Sequence, residues 1–436
     1  MLARTPSNVL SAILLFGIAM APVRAMFMVP AADSVAHISG EYRVAGDVVD
    51  VNPGESTAGL TLANVTVDDL AKSDRVLVTA PRYPASRIGD RVSVVCTLER
   101  PAPFDGFAYD TYLAIRDIHA VCRVQDAPLV VGAATPTLLL ELVKLRAHLM
   151  DRVGRVLPEP QATLLSGLLL GRADFSSEWR DRFLATGTTH IVAASGFNVS
   201  LVVMTLFGAL TWVGIRRQRA FGILVGGIAL YAVLAGLEPA VVRAGVMAAL
   251  VLAAHHVGRK TSMRNIVLLA VAAMLAFEPR LLLHDVGFQL SVISTVALIW
   301  FAPLLAERLR WVPSDLELRD ILASTLAATC ATLPIVILSF GQVSFLGPIV
   351  NLLVLPLVPP AMTFGALGLL GSIHGPTGPL LALPAWTLLS AVLWIITSVG
   401  SLPFSAVAIP DTLRYVLAAF TGVPVLFVCH RVTKKR

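Results

Sequence analysis

Polar side chains interrupt the long apolar runs of this chain at His190, Ser195, Asn198, Arg243, His284, Asp285, Gln289, Ser291, Ser294, Gln342 and Asn351. A polar group within a hydrocarbon-length run is costly unless it faces a partner or a wet cavity. His190 and Ser195 share the run TGTTHIVAASGFNVSLV and have the types of a general base and a nucleophile. Five residues apart on a helix of about 100° per residue, they point away from one another, and no carboxylate stands near them. The pattern therefore favours a packed polar seam: His190, Ser195 and Asn198, with Arg243, Gln289, Ser291 and Asn351 from other runs, lining one shared cavity. An intramembrane hydrolase using His190 and Ser195 is the alternative chemistry, and small-solute transport is another. Arg243 is the sole cation well within an apolar run; Glu238 is one partner within reach, and an internal ion pair and an anion guide are equally open. The adjacent His255 and His256 diverge on a helix and suit an interface. The chain contains no GxxxxGK[ST] loop, HExxH or HxHxDH, so neither a P-loop motor nor a metal site is expected, nor any catalytic residue or cofactor.

The elements that must position these groups follow from composition. Of 436 residues, 56% are hydrophobic and only 14% charged, with a mean hydropathy of +0.77. A soluble domain carries about 25% charged residues, so a soluble enzyme of this length is excluded, as are disordered, collagen-like and disulfide-scaffold chains. The composition defines a polytopic α-helical membrane protein.

At about 20 apolar residues per span, nine candidate segments come after Thr189: Ile191–Ile215, Phe221–Leu237, Val241–Val257, Ile266–Leu283, Val286–Ala306, Ile321–Ser339, Phe345–Ile373, Leu380–Val399 and Tyr415–Cys429. Pro334, Pro348, Pro356, Pro359 and Pro360 predict broken or re-entrant helices around a cavity. Arg216, Arg217 and Arg219, then Arg259, Lys260 and Arg264, then Arg308, Arg310 and Arg319, and finally Arg431, Lys434, Lys435 and Arg436 fall in alternate gaps, hence on one side. The positive-inside rule makes that side, and the C-terminus, cytoplasmic. Residues 1–39 hold an apolar stretch, Val9–Val29, read as an uncleaved anchor. A signal peptide cut near Ala25 is the rival, and either one exports the segment that begins at Gly40. Residues 131–189 interleave apolar positions with Lys144, Arg146, Arg152, Arg155, Arg172, Arg180 and Arg182, predicting amphipathic helices lying in the interface. Residues 190–436 form the multi-span domain.

Residues 40–130 differ. Short alternating runs at Glu41–Val51, Leu60–Val67, Arg75–Thr79, Arg91–Leu98 and Ile118–Val124, separated by turn residues, suit a small extracytoplasmic β-barrel (OB-like) domain. It carries 9 basic and 13 acidic residues. Cys96 and Cys122 fall on the last two runs, and adjacent barrel strands outside the cell would let them form a disulfide; two buried free thiols are the alternative.

Four stretches carry a resemblance. LLSGLLLGRADFSSEWRDRFLATGTTHIVAASGFNVSLV (Leu164–Val202) holds a Gly-Arg and then Gly-x-x-His and Ser-Gly; EPAVVRAGVMAAL holds Arg243; HDVGFQLSVISTVAL holds Gly-Phe-Gln-Leu-Ser; and TLPIVILSFGQVSFLGPIVNLLVLPLVP holds Leu-Pro, Phe-Gly, Asn and Pro. Together with the Phe-x-Tyr-x-x-Tyr-Leu run near residue 107 they resemble the ComEC-type competence-protein family of DNA-internalisation channels, over roughly residues 40–360. Where the family often has Ser-Gly-Leu-His, this chain has Ser195-Gly196-Phe197-Asn198. The resemblance implies a bacterial inner-membrane channel passing single-stranded DNA into the cytoplasm in natural transformation. Its implied partners are single-stranded DNA, the lipid bilayer, a cytoplasmic ATP-driven helicase and an outer DNA receptor. Many relatives continue into a metallo-β-lactamase-like domain; these 436 residues hold no HxHxDH, so a separate nuclease is expected to degrade the other strand. Tyr83, Phe104, Phe107, Tyr109 and Tyr112 are available to stack bases, or to form a small core and its docking edge.

Overall fold

A computed structural model describes residues 34–54, 56–103, 108–192, 196–215, 217–258, 262–313, 317–375, 377–402 and 405–421. The N-terminal stretch Val9–Val29, Phe104, Phe107, Ser195, Cys429 and the C-terminal basic residues lie outside that set, so the expectations placed on them concern residues outside the description. The described residues divide into two compact units, one drawn from 34–148 and 272–285, the other from 149–271 and 286–421.

The first unit is built on strands β1 (Gly40–Pro53), β2 (Thr57–Val67), β3 (Leu70–Ala71), β4 (Arg75–Pro81), β5 (Asp90–Glu99), β6 (Ile118–Arg123) and β7 (Leu129–Ala133), with helix α1 (Tyr109–Ala114) before β6. Alternation is the cause: along β4 and β6 every second side chain is buried. One face thereby leaves water while the other stays wet. Pairing runs β1–β2–β4–β6–β5, and β5 pairs back with β1. β4 and β6 are parallel, and the other pairs are antiparallel. Val44, Val48, Leu60, Leu62, Val76, Val78, Val92 and Leu98 fill the core. β7 pairs with β5 from Asp90↔Ala133 to Ser93↔Leu129, so this sheet runs past the boundary expected at residue 130. All five β7 residues are exposed, which erased the alternation that marks the other strands.

Cys96 and Cys122 are disulfide-bonded, with Cα atoms 6.0 Å apart. Leu98 is the residue opposite Cys122, so Cys96 lies diagonally across from it on the neighbouring strand.

Beyond β7 the chain is largely helical: α2 (Leu138–Val156), α3 (Gln161–Leu170), α4 (Ser177–Ala185), α5 (Thr189–Val192), α6 (Gly196–Trp212), α7 (Arg217–Leu234), α8 (Pro239–His256), α9 (Met263–Phe277), α10 (Leu281–His284), α11 (Val286–Trp300), α12 (Ala302–Arg308), α13 (Leu318–Phe340), α14 (Gly347–Val354), α15 (Val358–Gly371), α16 (Thr377–Leu381) and α17 (Leu383–Gly400). A two-stranded sheet pairs β8 (Gln342–Ser344) with β9 (Ala406–Ala408). Long apolar helices make this a multi-pass helical membrane protein.

The span count departs from the nine expected. Among the described residues five helices are long and apolar enough to cross, at Thr189–Trp212, Pro239–His256, Leu318–Phe340, Gly347–Gly371 and Leu383–Gly400; α11 and α12, bent by 47°, make a sixth if taken as one. Segments Phe221–Leu237 and Ile266–Leu283 are shorter helices because local breakers stop them. Gly236 and Leu237 take positive φ ahead of Pro239, and Pro279 comes just after the end of α9. The prolines act unevenly: α13 runs through Pro334 unbroken, whereas Pro356 sits in a single 3-10 turn between α14 and α15.

In the basic stretch 131–189, α2 combines a polar and an apolar side: Glu141, Asp151 and Arg155 are exposed, whereas Leu140, Val153 and Val156 are buried. α3 is different: Leu164, Leu165 and Leu168 are buried in one cluster with Phe183, Val350, Val354, Met362 and Leu389. Ten uncharged residues between charged neighbours gave this helix no wet face.

Candidate functional site

The polar residues His190, Asn198, Arg243, Gln289, Ser291 and Asn351 sit in the first two turns of their helices. α4 ends at the buried Thr186 and Thr188, whose hydroxyls are 2.7 Å apart, and Gly187 between them has φ +67°. A left-handed residue there suits glycine; a Cβ at Gly187 would lie 3.1 Å from that of Ser344. The turn places His190 on α5 with Nδ1 3.1 Å from the Gly187 carbonyl oxygen. Asn198, on the first turn of α6, is 1% exposed, and its Nδ2 donates to the Leu168 carbonyl at 2.9 Å, tying α6 to α3. Gly196 lets α6 approach α8, since a Cβ there would meet that of Ala244 at 3.3 Å.

Arg243 is 2% exposed on α8, and its guanidinium carbon lies 5.5 Å from the centre of the Phe288 ring on α11. A cation over an aromatic face is attracted by the ring quadrupole. Gln289, next to Phe288, is partly buried. Ser291 is partly buried too, and its carbonyl accepts from the Thr295 hydroxyl at 2.7 Å. Asn351 on α14 is 6% exposed, and its Oδ1 is buried with no hydrogen-bond partner among the described residues; the same holds for Ser344 Oγ. Val350 and Val354 beside Asn351 belong to the cluster that also holds Leu168 and Ile191. The helical unit thus links α3 to α6 through Asn198 and α8 to α11 through Arg243. Ser195 lies outside the described residues, so its pairing with His190 is not placed.

Sequence reasoning missed a second constellation, in the β unit. Asp74, Asp117 and His119 bring one carboxylate or imidazole atom each within 4.8 Å of one another, a set that could hold a metal ion although no metal ligand was expected. The parallel pairing of β4 with β6 puts the two strand starts side by side, which no spacing in the chain reveals. Asp74 is already well served: it accepts from the Ser34 hydroxyl, the Val35 N–H at 3.2 Å and the Ser73 hydroxyl at 3.1 Å. Burial, and then the Asp74 carboxylate, push the Asp117 carboxyl above its usual range, against the pull of Arg75, His119 and Arg280. Arg280 pairs with Glu278 at 2.8 Å and donates to the Ala114 carbonyl at 3.4 Å, fixing the α9–α10 connection to the end of α1.

Long apolar helices, with Asn198, Arg243 and Asn351 buried among them, define a multi-pass helical membrane protein. The family described as "Competence protein" matches residues 168–434, and this chain belongs to it. It is 26% identical over 341 residues to the ComE operon protein 3 of Bacillus subtilis (strain 168), covering 76% of this chain and 42% of the relative. It is also 28% identical over 216 residues to the uncharacterized protein YcaI of Escherichia coli (strain K12), covering 46% of this chain and 28% of that protein. The chain therefore spans less than half the length of either relative. No solved structure matches it.

Proposed function

We propose that this protein takes part in DNA uptake for transformation, as the membrane channel that passes single-stranded DNA into the cytoplasm. The observation that carries the reading is the coincidence of the competence-family match, residues 168–434, with Asn198, Arg243 and Asn351 buried in apolar helices. A polyanion crossing hydrocarbon needs a wet, polar and partly basic route. In this reading His190, Ser195, Asn198, Arg243, Gln289, Ser291 and Asn351 line that route. The β unit, whose five main strands pair in a closed circuit, is an OB-like barrel on the outer face of a bacterial inner membrane, and the C-terminus is cytoplasmic. The disulfide supports an oxidising compartment. A cytoplasmic ATP-driven helicase supplies the pull, and an outer receptor delivers DNA.

The test is a strain deleted for this gene and supplied with labelled DNA. Cytoplasmic label and transformants should vanish and return when the intact chain is supplied in trans. Unchanged uptake in the deletion strain would refute the reading.

A further inference from the structure

The ends of β1, β2 and β4, with the chain that leaves β4, enclose an open cavity of about 220 Å³ lined by Val51, Pro53, Leu60, Pro81, Arg82 and Tyr83. Tyr83 at its rim is 73% exposed, a flat ring held in water beside an apolar hole. The guanidinium carbon of Arg82 sits 5.6 Å from the centre of that ring, and Arg82 Nη1 donates to the Gly54 carbonyl at 3.2 Å. Among the described residues Arg82 has no ion-pair partner. An arginine with no carboxylate partner among the described residues thus stands at the mouth of an apolar groove, in a domain with 9 basic and 13 acidic residues.

We propose that this groove binds one unpaired nucleotide of single-stranded DNA, its base stacking on Tyr83 over the apolar floor and its phosphate meeting Arg82. The proposal rests on the DNA-uptake reading and adds to it the place where the strand is held.

The chemistry selects the ligand. Every base has a π face, and stacking on an exposed aromatic ring is indifferent to sequence. Duplex DNA offers base edges in its grooves, with the faces hidden in the stack, so only an unpaired base can enter. The volume falls below the roughly 300 Å³ of a drug-sized pocket and suits a single ring system. The acidic balance of the domain repels a polyanion at a distance, so the grip is local: one cation and one ring in place of a basic surface.

The test uses the full chain in nanodiscs of neutral lipid and a fluorescent oligothymidylate. Anisotropy should show saturable binding, weakened about tenfold by Tyr83→Ala and retained by Tyr83→Phe, within the measured range for one stacked base. Arg82→Gln should reduce the slope of log affinity against log salt by about 0.7, the loss of one phosphate contact on a single strand. Photocrosslinking with 5-iodouracil in the same oligonucleotide should map to Tyr83. Both side chains lie at the surface, and an unchanged melting temperature of each variant shows that the fold survives. Absent binding by the unaltered chain, equal binding by Tyr83→Ala, or crosslinks confined to other residues would each overturn the site. If the site fails while the deletion strain still loses uptake, the channel reading stands without it. Normal uptake in the deletion strain removes that reading whatever the groove binds.

Discussion

Asn351 poses the sharpest question at the scale of one residue. Its amide is 6% exposed and its Oδ1 meets no donor among the described residues. A buried acceptor left in that state costs about 1–3 kcal/mol. A leucine keeps the branched outline of the side chain and removes the unpaired acceptor, so Asn351→Leu should melt at the same or a higher temperature. In the channel reading the same substitution takes a polar group out of the DNA route, and transformation should fall at least tenfold at equal protein level. Stability and uptake then move in opposite directions, which a packing role cannot produce; unchanged transformation would remove Asn351 from the route. Arg243 makes the complementary case. Lysine keeps the charge but loses the flat guanidinium that stacks on Phe288, so Arg243→Lys should lower uptake without restoring the fold energy that Arg243→Ala gives up. Melting curves of both variants beside their transformation frequencies check it.

Elements show the demands of close approach and cross-linking. At Gly368 on α15 an added Cβ would stand 2.5 Å from the Ala382 Cβ and 3.0 Å from its Cα, and backbone cannot step aside as a side chain can. Gly368→Ala should therefore cost about 1–3 kcal/mol, the usual range for overpacking, read as a lower melting temperature of the purified chain. The Cys96–Cys122 bond closes a loop of 26 residues. Chain entropy assigns such a loop about 3 kcal/mol, so replacing both cysteines with alanine should expose the β unit to limited proteolysis. Both cysteines are buried, so thiol labelling of the folded protein is blind to the bond. Alkylation after denaturation without reductant reads it directly, and should modify neither. The strands themselves were legible in the sequence because a half-buried strand writes its burial at period two: the runs Arg75–Thr79 and Ile118–Val124 fall on β4 and β6. The helical breaks were only partly legible. Proline marks where a hydrogen bond is lost, not whether neighbours hold the helix through it, as they do at Pro334. The buried place of α3, the Tyr83 groove and the Asp74–Asp117–His119 group were not legible at all. Each is made by segments that meet only through pairing or packing.

For the whole molecule, charge placement carries the argument about orientation. The chain has a formal net charge of +6, while residues 40–130 hold 9 basic and 13 acidic residues, so the positive excess belongs to the helical part. Basic residues resist translocation, and a short connection rich in them stays inside. Arg308, Arg310 and Arg319 crowd the connection from α12 to α13, where Trp311 is 78% exposed. Asp126, exposed between β6 and β7, belongs to a unit long enough to cross largely regardless of its charge. Single cysteines at these two positions separate the orientations, in a background where Cys330 and Cys429 are alanine and the disulfide is kept. A membrane-impermeant maleimide should label Asp126→Cys in intact spheroplasts, and Trp311→Cys only after the membrane is opened. The reverse pattern would put the β unit in the cytoplasm, where the disulfide would be reduced and the Tyr83 groove would meet DNA only after passage. Labelling of both in intact cells would place both on one face and contradict the alternation of basic clusters. In the channel reading, the expected pattern leaves the groove on the side from which DNA would arrive and the basic connections on the side to which it would go, so an entering strand would meet increasing positive charge.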